Sequence, residues 1–331
     1  MEPIQDTGFV LIRKADSRLT PTLLEHGFIV DERESHLSVP YETKERLLDL
    51  LKALKASSDA GGSPSIYLTS VPGLVPRPDS FGPVRTYFAR MEQHPLVSII
   101  QENQFTSFLQ PILSLREDRI TAYECLLRPS PEGSSFRPFE LFETARETGL
   151  HSFLDRSARI SAIETTARLL ERGIKRFVNF LPSSIYNPNY CLSHTFAAID
   201  RLEQDPQDFV FEVVETEKIE DIRHLQTIFE VYKKNGMKVA LDDVGSGFST
   251  IEVMRRLEPD YVKIDRGLVD HCDEDESKQE EIRRIRELAH SYGGQVLAEG
   301  IERNEELAFC RSIGLDLAQG YLIGKPSDKP L

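Results

Sequence analysis

The stretch FTSFLQPILSLREDRITAYECLLR, from Phe105 to Arg128, holds two apolar, β-branched runs with little more than SLREDRI between them. A parallel crossover needs about ten or more residues, usually including a helix. The two runs are therefore expected to pair as an antiparallel hairpin. Further along the chain the runs recur as RFVNFL, DFVFEVVE, KVALDDV, YVKID, QVLAEGI and LAQGYLIG. They are apolar on both faces, as buried parallel strands are. Helical patterns fill most of the intervals: PFELFETARETG, FLDRSARISAIETTARLLERG, IEDIRHLQTIFEVYKKNG, TIEVMRRLE, EEIRRIRELAHSYGG and NEELAFCRSIG. Several close on glycine, the usual helix stop. Repeated β–α units with eight strands predict an α/β fold, a (β/α)8 TIM-like barrel with one antiparallel strand.

The first hundred residues read differently. GFVLIRK, the helix-like ETKERLLDLLKALKA, the flexible break SSDAGGSPS and the proline-rich VPGLVPRPDSFGP predict a small α/β or irregular unit. The expected division is 1–100 as an N-terminal region, with regulation as one role open to it, and 101–331 as the barrel domain. A net charge of −14 excludes free nucleic acid as a partner for the general surface. No apolar run approaches the ~20 residues of a membrane helix. The N-terminus lacks signal-peptide features, so the expected location is cytoplasmic. Cys125, Cys191, Cys272 and Cys310 show no metal-type pairing and are read as reduced thiols.

Barrel active sites sit at the C-terminal ends of the strands. Those ends carry Glu124, Asn179, Glu212, Asp242 with Asp243, Lys263, Glu299 and Gln319. A lone strand-end acid is more often a cap or ion-pair partner than a ligand. Several acids with an amide in one mouth, however, require cations to stay ionised. All-oxygen donors point to Mg²⁺ or Mn²⁺ rather than zinc. The neighbouring Asp242 and Asp243 could flank two metals about 4 Å apart, an arrangement suited to cutting phosphodiesters. Adjacent strand residues face opposite ways, so both can serve only if the strand ends between them. Gly245 and Gly247 permit such an exit.

From about Gln110 to Pro326 these motifs resemble the EAL domain, the bacterial cyclic di-GMP phosphodiesterase family. The name motif stands here as Glu124-Cys125-Leu126, followed by Leu127-Arg128. FLQPI, FVNFLP, FEVVET, LDDVGSGFS, YVKID, LAEGIE and AQGYLIGKP follow in order. The resemblance implies a barrel with one antiparallel strand and a two-metal site. Glu124, Asn179, Glu212 and Asp242 resemble ligands of the first metal, and Asp242 and Asp243 those of the second. Lys263 looks like the residue that holds the attacking water, and Glu299 like a metal-linked residue or general base. Glu302 and Gln319 resemble supporting and substrate-positioning groups. Glu215 resembles the acid that anchors the loop after Asp243. Gln110 and Arg128 look like substrate contacts, the Arg128 fork suiting a phosphate.

The implied activity is hydrolysis of cyclic di-GMP to linear 5′-pGpG. The rival expectation is a non-catalytic receptor that binds the dinucleotide and signals through its N-terminal region. Cys125, Val244, Ser246 and Phe248 depart from the family's common residues, none at an implied ligand. The resemblance also implies a homodimer meeting near Phe248 to Arg255. There Ile251, Met254 and Leu257 form an apolar stripe that packs either on a second copy or on the barrel itself. The histidines outside the motifs and the acidic run after the sixth strand are read as solvated surface.

Overall fold

The computed structural model describes residues 4–13, 19–58, 64–214, 222–245 and 251–331. The chain divides into two compact units, one from Met1–Asn103 with Phe139–His151, the other from Gln104–Pro138 with Ser152–Leu331.

In the first unit, β1 (Gly8–Arg13), β2 (Asp31–Glu32), β3 (His36–Tyr41), β4 (Ser65–Thr69) and β5 (Gly82–Pro83) form an antiparallel sheet in the order β2-β3-β1-β4-β5. The helix Lys44–Ser58 places Leu47, Leu50, Leu51 and Leu54 at helical spacing, and all four are fully buried. They meet Val10, Ile12, Val39 and Ile66 of the sheet in one core. VRTYFARMEQHPLVSIIQENQ resolves into two helices, Val84–Glu92 and His94–Gln101. Buried Arg90 donates from Nε to Thr148 O at 2.7 Å, and Gln93 donates to the Glu147 carboxylate. These bonds tie 139–151 to this unit, although the sequence places that segment among the barrel's helical intervals.

The second unit is a closed eight-stranded barrel. Its strands are β6 (Phe105–Ser114), β7 (Arg119–Pro129), β8 (Lys175–Phe180), β9 (Phe209–Val213), β10 (Lys238–Val244), β11 (Tyr261–Ile264), β12 (Gln295–Ala298) and β13 (Leu317–Gln319). The expected hairpin is present, and β6 is the reversed strand, antiparallel to both β7 and β13. The other neighbouring pairs are parallel.

One residue from each strand builds an apolar ring inside the barrel: Ile112, Ala122, Phe177, Val210, Ala240, Tyr261, Leu297 and Leu317. Outward-facing residues between them, such as Val178, Phe211, Leu241 and Val262, join the surrounding helices in the larger core. Val253, Met254 and Leu257 are buried in that core and Ile251 packs against it, so the apolar stripe packs on its own barrel. Among the described residues, no helix is long and apolar enough to cross a membrane.

Candidate active site

The site follows from the ring beneath it. Strand side chains repeat faces every two residues. Two residues beyond Ala122, Phe177, Val210, Ala240, Tyr261, Leu297 and Leu317 stand Glu124, Asn179, Glu212, Asp242, Lys263, Glu299 and Gln319. The reversed strand contributes Gln110, two residues before Ile112, opposite Glu124 in the hairpin. The strands thus supply a polar layer directly above an apolar one.

Lys263 sits in that layer at 1% exposure. Its Nζ lies 2.8 Å from Glu299 Oε1, 2.9 Å from Glu212 Oε2, 3.1 Å from Asp242 Oδ1 and 3.8 Å from Glu124 Oε1. Asn179 Nδ2 donates to Glu124 Oε1 at 3.3 Å, and Gln319 Nε2 to Glu124 Oε2 at 2.7 Å. Burial raises Glu212, Glu299 and Asp242 above the usual carboxylate range, and acid–acid repulsion adds to it, against the pull of Lys263. Burial also opposes ionisation of Glu124, but Lys263, Gln319 and Asn179 outweigh it and hold Glu124 below its ordinary value. Lys263 stays charged despite burial, because Asp242, Glu124, Glu212 and Glu299 raise it well above the usual lysine range.

Asp242 and Asp243 both serve the mouth because the strand does not run straight. Leu241 pairs with Val262 and Val244 with Ile264, so β10 spends one extra residue across the acidic pair. Asp243 takes a left-handed backbone, φ 52°, and its amide donates to Asp242 Oδ1 at 3.0 Å. This β-bulge re-aims the second carboxylate. Ligand oxygens of Asp242, Asp243 and Glu299 then lie within 4.8 Å of one another. Gly245 follows at φ 102°, where a Cβ would stand 2.0 Å from Leu268 Cδ1.

This donor set fits hard divalent cations. Among the described residues, the buried Glu212 Oε1 and Gln319 Oε1 have no hydrogen bond, and Glu212 Oε2 meets Lys263 by proximity without hydrogen-bond geometry. Five carboxylates with amide oxygens suit Mg²⁺, Mn²⁺ or Ca²⁺, and none of the side chains is a zinc-preferring thiolate or imidazole.

Other expected site residues are placed differently. Gln110 Nε2 donates to Gly324 O at 3.3 Å, and Arg128 to Leu127 O at 2.7 Å. Glu302 forms a surface ion pair with Arg266 at 2.9 Å. Glu215, Ser246 and Phe248 lie outside the described residues. The sequence reading passed over Glu306, which is 1% exposed and accepts from the backbone amides of His271, Glu302 and Arg303. Burial opposes its ionisation, but those donors leave it below the usual carboxylate range. It fixes the turn after Glu299. The signal for it is an acid at the third position of the helix Asn304–Ser312, where such residues bind preceding amides.

The family model described as EAL domain matches residues 94–326. The chain belongs to the EAL domain family. Among relatives, PdeG of Escherichia coli K12, described as a probable cyclic di-GMP phosphodiesterase, is 28% identical over 236 residues, 69% of this chain and 45% of its own. The chain spans 26% and 28% of two further curated relatives, so it matches less than half of each of these three proteins. A standalone EAL protein of Vibrio cholerae O395, solved with cyclic di-GMP bound, is 32% identical, with TM-score 0.61, over 68% of this chain and 93% of that one. Klebsiella pneumoniae BlrP1, solved with manganese and cyclic di-GMP, covers 97% of this chain and 96% of its own at 21% identity and TM-score 0.61, a likeness of fold. Each strand of the EAL barrel of this chain places an oxygen or amine side chain in the layer described above.

Proposed function

We propose that the chain hydrolyses cyclic di-GMP to linear 5′-pGpG in a reaction dependent on Mg²⁺ or Mn²⁺. The observation that carries this reading is the convergence of Asp242, Asp243 and Glu299 on one point, beside Lys263 and the Glu124–Asn179–Glu212 group. Glu124, Asn179, Glu212 and Asp242 would hold one cation, and Asp242 with Asp243 a second. Bound there, the pair would supply an activated water and charge neutralisation at the phosphate. Lys263, permanently charged, orients that water and stabilises negative charge developing on the phosphoryl oxygens. Glu299, at the open side of the layer, accepts the proton released by the water. Gln110, Arg128 and Gln319 position the dinucleotide, and Glu302 supports the rim. Glu215 is assigned the anchoring of the 244–249 loop.

Residues 101–331 are read as the catalytic domain and 1–100 as an N-terminal region with regulation as one role open to it, in a cytoplasmic protein whose association into homodimers would be seen by light scattering across protein concentration. The deciding experiment incubates purified protein with cyclic di-GMP and Mn²⁺ and resolves products by chromatography. Metal-dependent appearance of pGpG is expected. Tight binding of the dinucleotide with no product would overturn the enzyme reading in favour of a receptor.

A further inference from the structure

The helix His151–Leu169 carries a buried ion pair that the strand-end layer does not use. Asp155 is 3% and Arg159 2% exposed, and Arg159 donates from Nε and Nη2 to Asp155 Oδ2 at 3.2 and 3.0 Å. Buried ion pairs stabilise little over apolar packing, because both charges are desolvated. What this pair holds is more telling. Asp155 Oδ1 accepts from Leu181 N at 2.9 Å, Oδ2 accepts from Ser184 Oγ at 2.5 Å, and Arg159 Nη1 donates to Thr195 Oγ1 at 2.6 Å.

Leu181 is the first residue past β8, whose pairing with β9 ends at Phe180 opposite Val213. Its amide belongs to a buried residue and has left the strand ladder, so without Asp155 it would be an orphaned donor. Asp155 thus fixes where β8 ends, two residues after Asn179, and holds the turn Pro182–Ser184 against the helix. We propose that Asp155 is a positioning residue: through Leu181 and Ser184 it sets the reach of the Asn179 side chain toward Glu124, and thereby the divalent-cation affinity of the site. The proposal rests on the metal-site reading above.

The same strand supplies a matched control. Near its opposite end the fully buried Arg176 pairs at 3.1 Å with Asp208, 3% exposed, in the turn before β9, and Asp208 accepts from Gly173 N at 2.8 Å. Breaking either pair leaves a buried arginine without its counter-charge and destabilises the fold. Only the Asp155 pair touches the turn beside Asn179.

The test titrates Mn²⁺ into metal-free full-length protein and follows the free-ion electron paramagnetic resonance signal, with melting temperature recorded alongside. Asp155→Ala is expected to weaken Mn²⁺ binding about tenfold or more, the usual effect of losing a group that orients a ligand. Asp155→Asn keeps an acceptor for Leu181 N but turns an amide donor toward Ser184 Oγ and Arg159, so its affinity should fall between wild type and Asp155→Ala while it melts lower. Asp208→Ala should melt lower with unchanged affinity. If Asp155→Ala does not fold, Ser184→Ala removes the tie from the turn side and is likewise expected to weaken binding. Equal effects of the Asp155 and Asp208 changes on affinity, or none from Asp155→Ala or Ser184→Ala, would overturn the proposal while wild-type binding still upheld the metal site. Absence of Mn²⁺ binding by the wild type would remove the metal reading, and this inference with it.

Discussion

Lys263 meets four carboxylates, and that crowding makes the metal-free site sensitive to pH. Glu212, Glu299 and Asp242 have folded-state values raised above 4.5, 4.5 and 3.8. The stability linked to them is complete below those ordinary values and declines as pH rises through the raised ones. Lys263 is raised above 10.5, so its contribution is constant across the neutral range and lost only in strong alkali. Glu124, held low, contributes above 4.5 and is lost on acidification through its depressed value. Metal-free protein is therefore expected to melt at progressively lower temperature as pH is raised above the ordinary carboxylate values, and Mn²⁺ should reverse the trend by compensating the ionised acids. A melting temperature flat across this range would refute the placement of protonated carboxyls in the layer. At the same scale, Glu124→Ala removes the acceptor shared by Asn179 and Gln319. It is expected to abolish most turnover in the chromatographic assay, with far-ultraviolet dichroism unchanged, because the packed ring lies one layer below.

The element that decides the second metal position is the bulge in β10. Its left-handed Asp243 costs an ordinary side chain about 1–2 kcal/mol, which aspartate and glycine partly avoid. Asp243→Ala and Asp243→Gly should both lose tight Mn²⁺ binding, yet the glycine variant should be the more stable by roughly 1 kcal/mol in denaturant unfolding. Equal stabilities would show that the backbone relaxes out of this conformation. The bulge also marks a limit of the sequence reading. The hairpin was visible from the short SLREDRI connection, and most of the polar layer from strand-end positions. That Asp242 and Asp243 both serve the mouth was expected from a strand ending between them, but β10 runs on to Val244 and a bulge turns Asp243 instead, which no glycine at 243 announces. Glu302 was grouped with the site by motif, whereas its carboxylate meets Arg266 across the turn that Glu306 holds, a contact set by three-dimensional packing.

For the whole molecule, the division into units is interlaced along the chain. Residues 139–151 follow β7 in sequence but belong with 1–103, held by bonds such as Arg90 to Thr148 that span 58 positions. Local patterning shows a helix there and cannot show its partner. A chain cut at residue 100 severs 139–151 from the remainder of its own unit and exposes apolar residues such as Leu141 and Ala145, which are buried in the intact protein. The 101–331 fragment is expected to melt lower than full-length protein and to aggregate sooner in light scattering. Equal melting temperatures would show that the segment contributes nothing to the fold.

The reversal of β6 has a mechanical consequence. In a barrel whose strands all run one way, the chain enters the first strand at the end remote from the active site. Here Phe105 pairs with Pro129 and Gln110 with Glu124, so the chain enters at the reactive rim and reaches the polar layer within a single short length of strand. β7 then carries the chain back to the same rim at Arg128. A pull on residue 104 is therefore loaded in shear onto the hydrogen bonds between β6 and β7, along the line that sets Gln110 against Glu124. Tension there reaches those two side chains before it crosses any helix of the barrel unit.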